Sequence, residues 1–250
     1  MKIVTFNLRC ALTGDGINSF YHRAGGILRE IDSNAPDIIA FQEVMPEMLG
    51  FLKRHLPDYT FVGHGRCEQY DGEGLYTAFR RELTLIGYDT FWLSETPELP
   101  ASRFKEQSGC PRICVCTSFR QDGKTIHVYN NHLDHISDSA RILGIGLILE
   151  RVRQKLKDGA DDTVYILGDF NALPDSETIA RCESETAVKL VDLTKALPVS
   201  FHAYGSRAIK IDYIFTNAAN VGNIISCRIW DSESDGIYLS DHYPIEVETK

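Results

Sequence analysis

The chain has 250 residues, 43% hydrophobic and 24% charged, enough to bury one large core. Its formal net charge of −9 argues against the basic stripe with which proteins clamp long nucleic acid. No apolar run is long enough to cross a bilayer, and seven scattered cysteines, an odd number, do not form a disulfide framework.

The first ten residues, MKIVTFNLRC, run straight into strand-like alternation. They lack the long apolar stretch and small-residue cleavage site of a secretory leader, so a cytoplasmic location is expected. Residues 2–8 predict a buried strand, and 20–34 a helix with Ile27, Leu28 and Ile31 on one side. Ala35-Pro36-Asp37 stops that helix, because proline disfavours helix in the residue before it. Ile38 to Phe41 is a short apolar strand and 46–56 a second helix. Residues 75–93 carry two strands broken near Arg81-Glu82, and the charge at Arg80-Arg81 is only local. The stretches 64–74, rich in glycine and charge, and 94–111, rich in proline, serine and charge, are expected surface loops.

Strands at 112–119 and 125–131 are joined by a turn at Asp122-Gly123. Cys114 and Cys116, two apart, share one face of the first as small apolar residues; no CxxC pair supports a metal site. The clearest helix is 138–157, with Ile142, Ile145, Leu149, Val152 and Leu156 at spacings of three and four. Its basic stretch from Arg151 to Lys157 is a solvated face. Strands follow at 164–167, 210–216, 224–230 and 244–248. This alternation, without repeats or long linkers, predicts one α/β domain over 1–250: a four-layer sandwich of two mixed sheets face to face, helices outside.

Polar residues gather where these strands end. Asn7, Glu43, His132, Asp169 with Asn171, and Asp241-His242 all lie beside predicted strands, and Asp212 sits inside an apolar run where a carboxylate needs a partner. Each alone has an ordinary explanation as a turn, a cap or an exposed charge. Together, and in this order, they form a pattern. Thr5-Phe6-Asn7, Phe41-Gln42-Glu43, Asn131-His132-Leu133-Asp134-His135, Gly168-Asp169-Phe170-Asn171, Ile211-Asp212-Tyr213-Ile214 and Ser240-Asp241-His242 resemble the motifs of the endonuclease/exonuclease/phosphatase superfamily, the DNase I-like metal-dependent phosphoesterases. Glu73-Gly74-Leu75-Tyr76, Phe91 to Pro97 and Pro111-Arg112-Ile113 are similar to a bacterial branch of it whose substrates are mostly unassigned. The stretch 101–110 departs from that branch in lacking its usual Gly-Trp.

The resemblance implies hydrolysis of a phosphate ester by water, with Mg²⁺ or Mn²⁺ as cofactor, since hard oxygen ligands suit these ions. It makes Glu43 the principal metal ligand, with Asn7 close by and Asp241 sharing the ion. Asp169 resembles the residue that orients or deprotonates the attacking water, and Asn171 its positioning partner. His242 resembles the phosphate-contacting histidine and Asp212 the carboxylate that orients it. His132 resembles a second histidine, paired by hydrogen bond with Glu73, which should raise its pKa. Arg112 is a candidate phosphate contact through its planar fork. His202 is a candidate substrate contact, and Tyr76 a strand-packing residue.

The contrasting function is a catalytically inactive binding protein on the same fold. Such a protein usually loses a metal ligand or the Asp–His pair, and every position is filled here. A serine-nucleophile reading lacks a GxSxG elbow. Expected partners are a phosphate-ester substrate, either nucleic acid or a small phosphoester, with no membrane and no obligate protein partner.

Overall fold

A computed structural model describes residues 1–11, 14–121, 123–157, 159 and 161–250. The first sheet is built from β1 (Lys2–Asn7), β2 (Ile38–Val44), β3 (Tyr59–Gly65), β4 (Gly74–Arg80), and, from the far end of the chain, Ile224–Ile229 and Ile245–Thr249. The second holds β5 (Thr84–Trp92), β6 (Ile113–Gln121), β7 (Lys124–His132), β8 (Thr163–Asp169), β9 (Leu190–Asp192) and β10 (Asp212–Asn217). With the two late strands of the first sheet as β11 and β14, the orders are β11-β14-β1-β2-β4-β3 and β5-β6-β7-β8-β10-β9. Along the chain between β11 and β14 lies a small hairpin of β12 (Glu233–Ser234) and β13 (Ile237–Tyr238).

The pairs β1–β2 and β7–β8 are parallel. Parallel neighbours need a crossover. Helix α1 (Phe20–Asn34) supplies the first and α3 (Asp138–Lys157) the second. Each crossover helix covers the outer face of its sheet. Phe20, Ala24, Ile27 and Ile31 of α1, with Met48 and Leu52 of α2 (Pro46–His55), pack on Val4, Phe6, Ile39 and Phe41. Ile145, Ile148, Leu149 and Val152 of α3, with Ile179 and Cys182 of α4 (Glu177–Glu183), pack on Cys114, Cys116, Val164 and Ile166. Each such aliphatic side chain, fully buried, stabilises by about 1.5–3 kcal/mol. Between the sheets Ile3, Ile38, Ala40 and Phe79 meet Phe119, Val128, Tyr165, Leu167 and Ile214. These are the four layers expected from the sequence.

The predicted break near Arg81-Glu82 separates β4 from β5, and α3 spans the predicted 138–157. The expected loop 64–74 is shorter, because β3 runs to Gly65. That edge strand is half-exposed on both faces and so lacks the alternation that marks a strand. The predicted strand at 210–216 begins only at Asp212. Of the expected turn at Asp122-Gly123, Asp122 lies outside the described residues. The 94–111 loop forms no helix or strand and is pinned from within, Gln107 Nε2 donating to the Cys110 carbonyl (2.8 Å) and the Ser108 amide to Asp134 Oδ2 (3.1 Å). Among the described residues the cysteines form no disulfide, and Cys114 and Cys116 share the outer face under α3. Among the described residues no helix is long and apolar enough to cross a membrane.

Candidate active site

Strand alternation carries the site. Successive inward-facing positions read Ile3, Thr5, Asn7 on β1; Ile38, Ala40, Gln42 on β2; Val128, Asn130, His132 on β7; and Tyr165, Leu167, Asp169 on β8. On each strand the row starts apolar and ends polar. The inter-sheet core therefore closes on a polar layer in which Gln42 Nε2 donates to Asn130 Oδ1 (2.8 Å) and Asn130 Nδ2 to the Phe41 carbonyl (3.1 Å). Beyond it the two sheets open into a cleft of about 630 Å³. Asp212 joins from β10, directly opposite Asp169 in the strand register.

Three backbone devices aim the side chains. Glu43 has a positive φ of 58° at a register shift between Phe41 and Val44, so the β2 bulge throws its carboxylate toward the cleft. Gly168 has φ 139°, and a Cβ there would collide with the Asn131 carbonyl oxygen, so only glycine fits before Asp169. Asn171 has φ 49°; its amide N–H donates to Asp169 Oδ1 (2.8 Å) and its Nδ2 to the Leu133 carbonyl (3.2 Å).

Asn7 sits at the centre. Its Nδ2 is 3.1 Å from both Glu43 Oε1 and Asp169 Oδ2, and 3.5 Å from His242 Nε2. Residues from the two ends of the chain thus meet, as expected. His242 Nδ1 bonds Asp212 Oδ2 (2.8 Å), leaving Nε2 to face Asp169 Oδ2 at 3.9 Å. Burial disfavours the imidazolium, but Asp212, Asp169 and Asp241 outweigh it and push His242 up to about 10. Burial and the neighbouring Asp212 raise Asp169 to about 7, against the pull of His242. Glu43 goes the other way: burial opposes its charge, but the Cys10 amide (2.9 Å to Oε2), His242 and Asn7 hold it below its ordinary value.

Among the described residues two groupings could hold a cation: Glu43, His132 and Asp169, and Asp169, Asp212 and His242, each with donor atoms within 4.8 Å of one another. The second is already closed on itself by the Asp212–His242 bond. The first offers hard carboxylate oxygens, and Asp169 there carries more negative charge than its surroundings accommodate, which a divalent cation would relieve. Asp241 is buried near Arg9, with Oδ2 3.6 Å from Nε, and lines the same cleft. Asn7 turns its Nδ2 to the carboxylates while its Oδ1 accepts from the Arg9 amide N–H (2.9 Å); to serve as a metal ligand it would have to reverse the amide and give up that bond.

The His132–Glu73 reading needs correction. Nδ1 lies 3.9 Å from Glu73 Oε1, too far for a hydrogen bond. Glu73 is instead gripped through both oxygens by Arg66, at 2.6 and 2.9 Å. His132 is pushed well below the ordinary histidine value, first by burial and then by Arg112 and Arg66, so it is neutral. Its Nε2 lies 3.4 Å from Asp169 Oδ2. Arg112 is buried beside the cleft, with Nη2 donating to His135 Nδ1 (2.9 Å) and Nε lacking any partner. His202 does not line the cleft; it is buried behind His242, stacked on Tyr243 at 4.1 Å. Tyr76 packs in the outer layer, as expected. Arg9, Arg66, His135 and Arg207 also line the cleft. Sequence reading passed over them because isolated arginines in loops have no spacing that distinguishes them from surface charge; only His135, inside Asn-His-Leu-Asp-His, carried a signal.

A Bacteroides vulgatus endonuclease/exonuclease/phosphatase superimposes with a TM-score of 0.89 at 25% identity, covering 100% of this chain and 98% of that one. A mannosyl-6-phosphatase of Bacteroides thetaiotaomicron gives 0.87 at 25% identity, covering 99% and 98%. Human tyrosyl-DNA phosphodiesterase 2 is 23% identical over 184 residues, 72% of this chain; the match spans only 44% of that protein's length. The pattern of the Endonuclease/Exonuclease/phosphatase family matches residues 4–242. With strand-end motifs drawn into one cleft between two face-to-face sheets, the chain belongs to the Endonuclease/Exonuclease/phosphatase family.

Proposed function

We propose that the chain hydrolyses a small phosphoester, with a sugar phosphate the favoured substrate, in a divalent-metal-dependent reaction. The observation that carries this is the linked set at the base of one cleft, in which Asn7 reaches Glu43, Asp169 and His242, and His242 in turn bonds Asp212. Glu43, beside Asp169 and with Asp241 and a reversed Asn7 as further candidate ligands, would hold Mg²⁺ or Mn²⁺. Bound there, the ion supplies positive charge to the phosphoryl oxygens.

The chain's own groups do the rest. Asp169, held by the Asn171 amide, takes the proton of the attacking water. His242, charged because Asp212 holds Nδ1–H, donates Nε2–H to a phosphoryl oxygen as negative charge grows on it. His132 enters as a neutral hydrogen-bonding group. Arg112, its Nε unsatisfied, receives the phosphate through the guanidinium fork. The small substrate follows from the net charge of −9, which repels a long polyanion, and from the likeness to the mannosyl-6-phosphatase at 25% identity. A second reading, cleavage of a phosphodiester at a DNA end, draws on the tyrosyl-DNA phosphodiesterase 2 relation.

The test incubates purified protein with Mg²⁺ or Mn²⁺ and hexose 6-phosphates, nucleotides, 5′-tyrosyl oligonucleotides, and single- and double-stranded DNA. Release of inorganic phosphate, fastest from hexose phosphates and lowered by at least about 10²-fold in Asp169→Asn, is expected. Preference for an oligonucleotide would replace the first reading by the second, and no turnover on any ester would overturn both.

A further inference from the structure

Arg112, the proposed receiver of the phosphate, is aimed by a neighbour that also lines the cleft. Its guanidinium is buried, with Nε lacking a partner and Nη2 2.9 Å from His135 Nδ1. A guanidinium donates and never accepts, so Nδ1 is the acceptor and the proton of the neutral ring sits on Nε2. Burial and then the charge of Arg112 hold the pKa of His135 below its ordinary value, which keeps the ring neutral.

His135 itself is fixed from both sides. It lies in the turn after β7, exposed and lining the active-site cleft. Asp134 Oδ1 accepts the amide N–H of Ile136 (3.0 Å) and of Ser137 (2.7 Å), and Oδ2 accepts that of Ser108 (3.1 Å). Arg141 Nη1 donates to the Asp134 carbonyl (2.7 Å). The backbone on either side of His135 is thus tied down, and the ring reaches Arg112 from a rigid base.

The chemistry of the acceptor matters. Glu73 Oε1 lies 3.9 Å from Arg112 Nη1, beyond hydrogen-bond range, and is taken by Arg66 at 2.6 Å. A carboxylate bonded directly to Arg112 would offset its charge and compete with a phosphate for the same donors. A neutral imidazole nitrogen orients the planar fork and leaves that charge for the incoming anion. A buried donor without a partner, such as Arg112 Nε, is costly, and a phosphate oxygen beside it would relieve that cost.

We propose that His135 is a positioning residue whose Nδ1 orients Arg112 toward the phosphate of the substrate without neutralising it. This rests on the proposed role of Arg112. The test follows two quantities on the full-length protein: binding of inorganic phosphate by calorimetry with Mg²⁺ present, and steady-state hydrolysis of a hexose 6-phosphate. His135→Leu should weaken phosphate binding and raise KM by at least about tenfold, the scale of one hydrogen bond to a charged group, with kcat little changed. Asn places its Oδ1 where Nδ1 stood, whereas Gln places its amide nearer Nε2. His135→Asn should therefore recover most of the loss, and His135→Gln should not. In an Arg112→Ala background His135→Leu should lower kcat/KM by less than about twofold more, because the two residues act as one. The ¹⁵N shifts of His135 in the metal-free protein should show Nδ1 bare and Nε2 protonated. Phosphate affinity undiminished in His135→Leu, no better recovery by Asn than by Gln, additive losses with Arg112→Ala, or a protonated Nδ1 would each overturn the proposal. Wild-type protein that binds no phosphate would overturn it together with the proposed active site. Phosphate binding that depends on His135 in a protein that turns over no ester would uphold it and overturn the hydrolytic reading alone.

Discussion

Replacing Asp212 by Asn separates the charge of His242 from its position. The pair is 2.8 Å long, with both side chains almost completely buried, and the amide keeps the shape while removing the charge. Breaking a buried ion pair by neutralising one partner typically costs about 3–5 kcal/mol. At 1.36 kcal/mol per pH unit that is a fall of about 2–4 units in the His242 pKa. Starting from about 10, the histidine should then titrate between roughly pH 6 and 8, Asp169 at 3.9 Å preventing a deeper drop. NMR titration of the metal-free protein reads this directly, free of any bound cation. Stability should follow. A histidine raised in the folded state contributes stability that is complete below its unfolded value, near 6.5, and is lost as pH climbs through about 10. The advantage of wild type over Asp212→Asn in urea unfolding should therefore be large at pH 6–7 and shrink toward pH 10. A His242 pKa still above 9 in the variant would refute the reasoning, because the carboxylate would not be what holds the proton.

Further expectations bear on the rest of the site. EDTA should abolish turnover, and Glu43→Gln should weaken Mn²⁺ binding measured by calorimetry; full activity in EDTA would remove the metal from the mechanism. Asp169→Asn should lower kcat by about 10²–10⁴-fold, the usual worth of general-base help, with little change in KM. Because burial and Asp212 raise Asp169 to about 7 and a bound cation would draw it lower, wild-type activity should fall as pH drops below 7; a rate that climbs there would exclude Asp169 as base. Gly168→Ala should destabilise the fold by at least about 2 kcal/mol in thermal unfolding, combining backbone strain with a clash on the Asn131 carbonyl; an unchanged Tm would contradict that account.

What the sequence made legible is what repeats or ends an alternation. The inward rows ending in Asn7, His132 and Asp169 could be followed residue by residue, because the apolar half of each row marks the strand and its polar end then stands out. The long apolar spacing of α3 was equally plain. Edge strand β3, three-residue β9 and the two-residue strands β12 and β13 carry no such period, and their pairing depends on neighbours distant in the chain. Partnership was the harder matter. A match of residue types put Glu73 beside His132, yet Arg66, seven residues earlier, reaches Glu73 first, with one hydrogen bond and one ion-pair contact. His202 has the composition of a ligand contact and the surroundings of a packing residue, since its ring is sandwiched among tyrosines that no local pattern predicts.

The arginines of the cleft bear on the size of the substrate. Arg9, Arg66, Arg112 and Arg207 converge on a space of about 630 Å³ in a molecule whose net charge is −9. These opposed fields act over different ranges. Surface charges are screened beyond about 8 Å at physiological ionic strength, whereas a phosphate inside the cleft meets the guanidinium groups with little water between. A compact phosphoester enclosed there meets these arginines set against Glu43, Glu73, Asp169 and Asp241, with Arg9 and Arg66 already ion-paired. On the proposed small-phosphoester reading, a polynucleotide would have to continue past the rim of a molecule whose net charge is −9. Arg112 sharpens the distinction: it is 5% exposed and anchored on His135, so it can receive one phosphate at the bottom of the cleft but cannot track a backbone. Such a site would suit the single anionic group of the proposed substrate, received on Arg112, better than a chain of them.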